Sequence, residues 1–168
     1  MTKAGKTGPR ENYLSWDDTF ILMADLIAQR SKDPSTQTGA VVVDENNIIL
    51  GLGYNGWPRG VDEGLFPWDR EGGYEKEEFL NTKYAYVVHA ELNAILNANK
   101  SVRGGKVYCH LFPCNDCAKV IIQAGIKELI YQEDKYIDVD IFQASRKLFE
   151  AAGVKLRQYT PTKKLKIE

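Results

Sequence analysis

The second half of the chain alternates between helical and strand patterns, and this alternation constrains the fold more than any other feature. Helices are predicted at 89–98, 114–124 and 139–152, and strands at 106–112, 128–131 and 154–159. Gly125 and Gly153 stand at the ends of two of these helices, where glycine is a favoured residue. Repeated helix–strand units build a sheet that is covered by helices. The pattern therefore indicates an α/β sandwich.

The first half adds one helix and one hairpin. Ser15 is followed by acidic residues, which suits a helix start. Apolar residues at spacings of three and four then give one apolar face, at Phe20, Met23, Ala24, Ile27 and Ala28. The β-rich runs 39–44 and 48–54 are joined by a short polar turn and predict a hairpin. Altogether we expect a three-layer α/β/α sandwich with a mixed central sheet of about five strands.

The length of 168 residues suits one domain with one hydrophobic core. We assign residues 13–160 to this domain, residues 1–12 to a flexible lead-in and residues 161–168 to a tail. Residues 56–82 form an insertion rich in Gly, Pro, Trp and charges, with one short helix expected at about 75–80. Its aromatic residues favour an ordered flap; they are Trp57, Phe66, Trp68 and Tyr74.

Composition and charge argue against several classes of function. The 22 basic and 23 acidic residues give a net charge of −1, whereas proteins that bind nucleic acid through its phosphates usually carry a basic excess. No stretch approaches the roughly 18 apolar residues that span a membrane, and the N-terminal residues lack the apolar segment of a secretory signal. Three cysteines without signs of secretion argue against a disulfide framework. We expect a cytoplasmic protein with no nucleic-acid or membrane partner.

Two short motifs carry residues that commonly bind zinc. His89-Ala90-Glu91 begins a predicted helix, and Pro113-Cys114-Asn115-Asp116-Cys117 stands where a strand gives way to a helix. Cysteines three apart in the first turn of a helix share a face, and the helix dipole favours their thiolate form. Together with His89, Cys114 and Cys117 would give three protein ligands. The fourth tetrahedral position is then left for water, as in a catalytic zinc site.

Glu91 lies two residues beyond His89, near enough to face the same cavity without binding the metal. Zinc lowers the pKa of a water from about 16 toward about 7, so that hydroxide becomes available at neutral pH. A carboxyl group beside the metal can take the proton of the water and pass it to a ring nitrogen and a leaving amine. His-x-Glu followed by Pro-Cys-x-x-Cys is the signature of zinc nucleobase deaminases. The motifs therefore predict hydrolytic deamination, with Glu91 as the proton shuttle.

Less specific interpretations of the same residues stay open. The zinc site could be a closed structural one, with Cys109 or His110 as the fourth ligand. Cys109 could equally be a small buried residue of a strand, and His110 a hydrogen-bonded histidine on the opposite face. Glu91 could be a solvated acid at a helix start. Asn55 and Gly56 could form only a turn.

The sequence resembles the cytidine deaminase superfamily, and most closely its deoxycytidylate deaminase branch, from about Tyr13 to Tyr159. The motifs that carry the resemblance are Gln29-Arg30-Ser31-Lys32-Asp33-Pro34, Gly53-Tyr54-Asn55-Gly56-x-Pro58-x-Gly60, His89-Ala90-Glu91-Leu92-Asn93-Ala94-Ile95 and Leu111-Phe112-Pro113-Cys114-Asn115-Asp116-Cys117-Ala118-Lys119. The last two are shared across the superfamily, whereas the first two point to the deoxycytidylate branch. His110 departs from the smaller residues expected at its position.

The resemblance implies a substrate, effectors and an assembly. Similar enzymes convert dCMP to dUMP, which feeds thymidylate synthesis, and they act as homohexamers. They are activated by dCTP and inhibited by dTTP, with Mg²⁺ accompanying the triphosphate. The residue that matches Asn55 hydrogen-bonds the nucleotide. Further candidates for substrate contacts are Tyr54, Gly56, Arg30, Lys32, Lys135 and Tyr136.

Three rival functions differ from dCMP deamination. A deaminase of the same fold could act on free cytidine, guanine, a riboflavin precursor or a tRNA adenosine. A non-catalytic nucleotide sensor could keep the fold, but we would expect it to lose a ligand or the glutamate. A structural zinc module in a larger assembly would lack a water-occupied position on the metal.

Overall fold

The computed structural model of the chain describes residues 8–73 and 78–166. Residues 1–7 of the predicted lead-in, Tyr74, residues 75–77 of the predicted short helix and residues 167–168 of the tail lie outside the described residues. Among the helices in these two ranges, none has the length and apolar character needed to cross a lipid bilayer.

Five strands form one mixed sheet. The strands are β1 (Gly39–Val43), β2 (Ile49–Tyr54), β3 (Lys106–Leu111), β4 (Glu128–Glu133) and β5 (Lys155–Gln158), and they lie in the order β2-β1-β3-β4-β5. β1 is antiparallel to both β2 and β3, whereas the β3–β4 and β4–β5 pairs are parallel. The predicted mixed sheet is confirmed.

Four helices cover the two faces of the sheet. They are α1 (Trp16–Ala28), α2 (Ala90–Leu96), α3 (Asn115–Gln123) and α4 (Asp140–Ala151). α1 packs on one face over a core that includes Phe20, Val41 and Tyr108. The other three helices pack on the opposite face, over a core that includes Val107 and Leu129. The three-layer sandwich is confirmed.

The helix and strand ends differ from the predicted ones by a few residues. α2 ends at Leu96 rather than at residue 98, and the side-chain amide of its C-cap residue Asn97 donates to the carbonyl oxygen of Leu52 at 2.9 Å. β4 continues to Glu133 because Glu133 pairs with Leu111 of the neighbouring strand. Both ends lie at contacts with distant residues, which local patterns do not contain.

The backbones of β2 and α2 approach each other closely. A Cβ atom at Gly53 would lie 2.2 Å from the backbone nitrogen of Ala94, and one at Gly51 would lie 2.2 Å from its carbonyl oxygen. Only glycine fits so short a contact. The two glycines therefore fix the position of α2, whose first residues carry the His89 and Glu91 motif.

In the structure the insertion extends past the predicted residue 82 to Val88, and it begins and ends at one point of the fold. Gly56 and Val88 exchange two backbone hydrogen bonds of 3.1 and 2.9 Å in an isolated antiparallel bridge. Between them an aromatic cluster orders the chain: the ring centroids of Trp57 and Trp68 are 4.3 Å apart and those of Phe66 and Tyr86 are 4.6 Å apart. Near the predicted short helix the structure has a 3₁₀ turn at Phe79–Asn81.

Candidate active site

Three potential metal ligands lie together at the end of the sheet. The Nδ1 atom of His89 is 3.4 Å from the Sγ atoms of both Cys114 and Cys117, and all three donor atoms lie within 4.8 Å of one another. Tetrahedral zinc with ordinary Zn–N and Zn–S bonds separates such atoms by about 3.5 Å. This ligand cluster (His89, Cys114 and Cys117) therefore fits a zinc ion.

Two helix starts position the ligand cluster. His89 is the N-cap residue of α2, and Cys114 is the N-cap residue of α3, one position earlier than the predicted first turn. Cys117 follows one turn later and is buried, as is Cys114. Because the positive end of the α3 dipole lies at this turn, it stabilises negative charge on the sulfur atoms.

Cys114 and His89 form a charge pair within the ligand cluster. The hydrogen bond from Cys117 lowers the pKa of the Cys114 thiol, against the effect of burial, and His89 lowers it further. Burial disfavours the His89 imidazolium, but its hydrogen bond with Cys114 and the charge of that sulfur outweigh burial and raise its pKa to about 9. Cys114 is therefore a thiolate at neutral pH, which is the form that binds metals, whereas His89 and Cys117, whose pKa values are raised, each release a proton when a metal binds.

Glu91 lies beside the ligand cluster but is not one of its members. Its side chain is buried, and one carboxylate oxygen lies 3.5 Å from the Sγ atom of Cys117. Burial raises the pKa of Glu91 above its usual range. A carboxyl group with a raised pKa next to a reacting water can both accept and return a proton near neutral pH.

A cavity of about 230 Å³ opens over the ligand cluster. Its walls come from the segment after α1, the insertion, the β3–α3 junction and the start of α4. The lining residues are Asp33, Thr36, Thr38, Asn55, Arg70, Lys83, Tyr84, Val87, His89, Glu91, Leu111, Phe112, Cys114, Tyr136, Val139, Ile141 and Phe142. The ligand cluster and Glu91 thus share one concave, largely apolar space, as is typical of a small-molecule site.

A second polar group, formed by Asp33, Asn55 and Lys83, lines the same cavity, and we call it the clasp. The Nζ atom of Lys83 lies 2.5 Å from one carboxylate oxygen of Asp33, and the amide of Asn55 donates to the same oxygen at 3.2 Å. The other oxygen accepts from the backbone N–H groups of Ser35 and Thr36. The clasp joins the insertion to the segment that follows α1.

The amide of Asn55 is engaged within the protein. Its oxygen accepts from the backbone N–H of Thr38 at 2.9 Å, and its nitrogen donates to the carbonyl oxygen of Thr36 at 2.9 Å as well as to Asp33. Both amide protons are used, so only one lone pair of the oxygen is left for a ligand. Asn55 therefore holds one wall of the cavity in place. Its direct contact with a nucleotide stays a prediction.

Of the six other predicted substrate residues, one lines the cavity and five do not. Tyr136 lines the cavity and stacks on Phe142 with ring centroids 5.3 Å apart. Outside the lining residues are Tyr54, Gly56, Arg30, Lys32 and Lys135. Lys32 is instead paired with Glu63 at 2.6 Å on the surface. Sequence reasoning missed Arg70 and Lys83, which lie in an insertion without a helical or strand pattern.

Neither His110 nor Cys109 joins the ligand cluster. His110 lies on the opposite face of the sheet, where its Nδ1 atom is 3.1 Å from a carboxylate oxygen of Asp25 on α1. Cys109 is buried in the core, and its Sγ atom donates to the carbonyl oxygen of Ile130 at 3.8 Å. In the part of the chain that is described, the ligand group has three members. The structure thus gives no support to a closed four-ligand site.

Sequence and structure comparisons identify relatives. The family model for the cytidine and deoxycytidylate deaminase zinc-binding region matches residues 14–133. The deoxycytidylate deaminase of Mus musculus is 54% identical over 153 residues, which are 90% of this chain and 84% of that protein. The Homo sapiens deoxycytidylate deaminase is 52% identical with the same coverage. The crystal structure of the dCMP deaminase from cyanophage S-TIM5 in complex with dCMP and dUMP matches with a TM-score of 0.63 and 29% identity, covering 84% of this chain and 95% of that chain.

Proposed function

The chain belongs to the cytidine and deoxycytidylate deaminases, and on that premise we propose that it hydrolyses dCMP to dUMP and ammonia. The observation that carries the proposal is a three-member ligand cluster beside a buried carboxyl group that does not ligate, both at the base of one cavity. Three protein ligands are the number that a catalytic zinc takes, since a closed structural site uses four.

The chemistry divides between the metal and Glu91. Zinc held by His89, Cys114 and Cys117 would supply a hydroxide-like nucleophile at neutral pH. The Glu91 carboxylate takes the proton that the attacking water loses. It then delivers this proton to the ring nitrogen next to the attacked carbon, and it passes the second proton of the same water, released as the carbonyl group forms, to the departing amine. One water is consumed, the exocyclic C–N bond breaks and a carbonyl group forms.

The substrate assignment follows the relatives. Two proteins that are more than half identical to this chain are deoxycytidylate deaminases, and a structure of similar fold holds dCMP and dUMP. The apolar side of the cavity, which includes Leu111, Phe112 and Val87, suits a flat pyrimidine ring. We extend the proposal to the supply of dUMP for thymidylate synthesis.

Regulation and assembly complete the proposal. We expect activation by dCTP, inhibition by dTTP, Mg²⁺ bound with the triphosphate, and a homohexamer, all of which rest on the resemblance to deoxycytidylate deaminases. A cytoplasmic location also stays a prediction from the sequence.

Ammonia release from the zinc-loaded protein tests the function. The substrates are dCMP, deoxycytidine, CMP and dCTP, each with and without added dCTP or dTTP as effector. Fast release from dCMP that rises with dCTP and falls with dTTP is the expected result. No release from any of the four with zinc bound would contradict the proposal and point to another base or to a non-catalytic role.

A further inference from the structure

Two cationic side chains, Lys83 and Arg70, are among the residues that line the cavity. A nucleoside monophosphate brings a phosphate group with a charge between −1 and −2 at neutral pH. Binding such a ligand calls for a cation that is free to meet this charge. The two candidates differ sharply in that respect.

Lys83 is already neutralised. Its ammonium group lies 2.5 Å from Asp33, and the two side chains are only 7% and 1% exposed. A buried ion pair of this kind is costly to break, because each partner would be left as an uncompensated charge in a poorly solvated place. Lys83 is therefore committed to the clasp and has little net charge to offer a phosphate.

Arg70 is exposed and has no ion-pair partner among residues 8–73 and 78–166. Its guanidinium also makes no hydrogen bond within that part of the chain, in contrast to Arg59 of the same insertion, which donates to the side chain of Asn97 at 2.5 Å. Arginine presents paired N–H groups in a planar fork that matches two phosphate oxygens.

The backbone holds Arg70 in place beside the cavity. The carbonyl oxygen of Asp69 accepts from the backbone N–H of Lys83 at 2.8 Å, and the carbonyl oxygen of Arg70 accepts from Gly73 at 3.1 Å. Trp68, two residues earlier, belongs to the aromatic cluster of the insertion. The backbone N–H of Lys83 thus positions the chain beside Arg70, whereas the charge of the Lys83 side chain is neutralised by Asp33.

We propose that Arg70 binds the 5′-phosphate of the substrate and sets the preference for a nucleoside monophosphate over the free nucleoside. The inference rests on the proposed function for the identity of the base. For the phosphate it rests on the difference between Lys83, which is paired with Asp33, and Arg70, which has no ion-pair partner in the described residues. Arg70 contacts the phosphate and takes no part in the transfer of protons at the ring.

Arg70→Gln tests the assignment, with Arg59→Gln as the matched control in the same insertion. The zinc-loaded proteins are assayed for ammonia release from dCMP and from deoxycytidine. In Arg70→Gln, kcat/KM for dCMP falls by about 10- to 100-fold, mostly through KM, because a charge-assisted hydrogen-bonded contact is lost. The rate with deoxycytidine is unchanged, Arg59→Gln behaves as the parent protein, and Arg70→Lys recovers part of the loss.

Binding separates this inference from the proposed function. Calorimetric titration of dCMP and deoxycytidine into the parent and Arg70→Gln proteins needs no turnover. If the parent protein deaminates nothing but binds dCMP more tightly than deoxycytidine, and Arg70→Gln removes that difference, the deaminase proposal fails and the phosphate assignment holds. An unchanged preference in Arg70→Gln, or an equal loss with both ligands, overturns the assignment.

Discussion

The ligand cluster and the clasp line one cavity but are built in different ways. The ligand cluster comes from two short motifs, each at the start of a helix that packs on the sheet. The clasp joins Asp33 to residues 22 and 50 positions further along the chain, and two of its members lie in loops. The first group is arranged for chemistry and the second holds the wall that faces it. We therefore expect changes in the two groups to affect different properties.

The largest expected effect is on turnover, at Glu91. Glu91→Gln keeps the size of the side chain but cannot carry a proton, so kcat for dCMP falls by about 100- to 10,000-fold. The bound zinc, measured by elemental analysis, stays at the parental value because the three ligands are untouched. A near-normal rate in Glu91→Gln would refute the role of Glu91 as the proton shuttle.

The next largest effect is on stability, at Lys83. Lys83→Met leaves the Asp33 carboxylate buried without its partner, so the free energy of unfolding falls by about 3 to 5 kcal/mol. Lys32→Met is the control, since Lys32 and Glu63 form an ion pair of similar length whose side chains are 64% and 46% exposed. Its expected cost is about 1 kcal/mol or less.

Urea unfolding of both lysine variants measures the contrast. Combining Lys83→Met with Asp33→Asn removes the stranded charge, and part of the lost stability returns. Equal costs for Lys83→Met and Lys32→Met would show that the clasp is no stronger than a surface ion pair. Parental stability of Lys83→Met together with a lost rate would place Lys83 in the chemistry instead.

The smallest effect is expected at His110, on the far face of the sheet from both groups. The hydrogen bond with Asp25 raises the pKa of His110 against the effect of burial, and the charges of Asp25 and of Glu133, 4.0 Å away, add to the rise. A raised pKa means that the protonated form stabilises the fold. This stabilisation is complete below the unfolded pKa of about 6.5 and is lost as pH rises through the folded value.

His110→Gln therefore lowers the free energy of unfolding by less than about 1 kcal/mol at low pH, because the side chain is partly solvated. The difference from the parent protein shrinks as pH rises. Urea unfolding across neutral pH checks the trend, and dCMP turnover serves as the second readout. If the rate of dCMP turnover fell together with stability, His110 would have a role in the active site, contrary to this expectation.

The same contrast explains what could be read from the sequence. The layers of the fold and the three-member ligand group follow from local patterns: apolar spacing, glycines after helices, and ligands a fixed number of residues apart. The four α-helices and five strands were predicted with the correct type, and their ends differ where distant contacts, such as the one with Leu52, are made.

The clasp and Arg70 could not be predicted in this way. Asp33, Lys83 and Arg70 are charged residues among many, and nothing local distinguishes them from solvated surface charges. Their roles depend on which residues the insertion brings near the cavity, and that path is set by aromatic packing and backbone hydrogen bonds between distant segments. Lys32 is the reverse case: its motif suggested the site, whereas the structure pairs it with Glu63 and leaves it outside the lining residues of the cavity, so its contact with the substrate stays a prediction.

The bridge between Gly56 and Val88 has a consequence for how such a protein can diversify. Because the two ends of the insertion meet, the segment between them can gain or lose residues without moving β2 relative to α2, and lengthening a closed loop costs little entropy. The part of the chain that carries Arg70 can thus change during evolution independently of the part that carries the ligand cluster. Changes in the insertion can alter which ligands enter the cavity, while the ligand cluster and Glu91 at its base keep their arrangement.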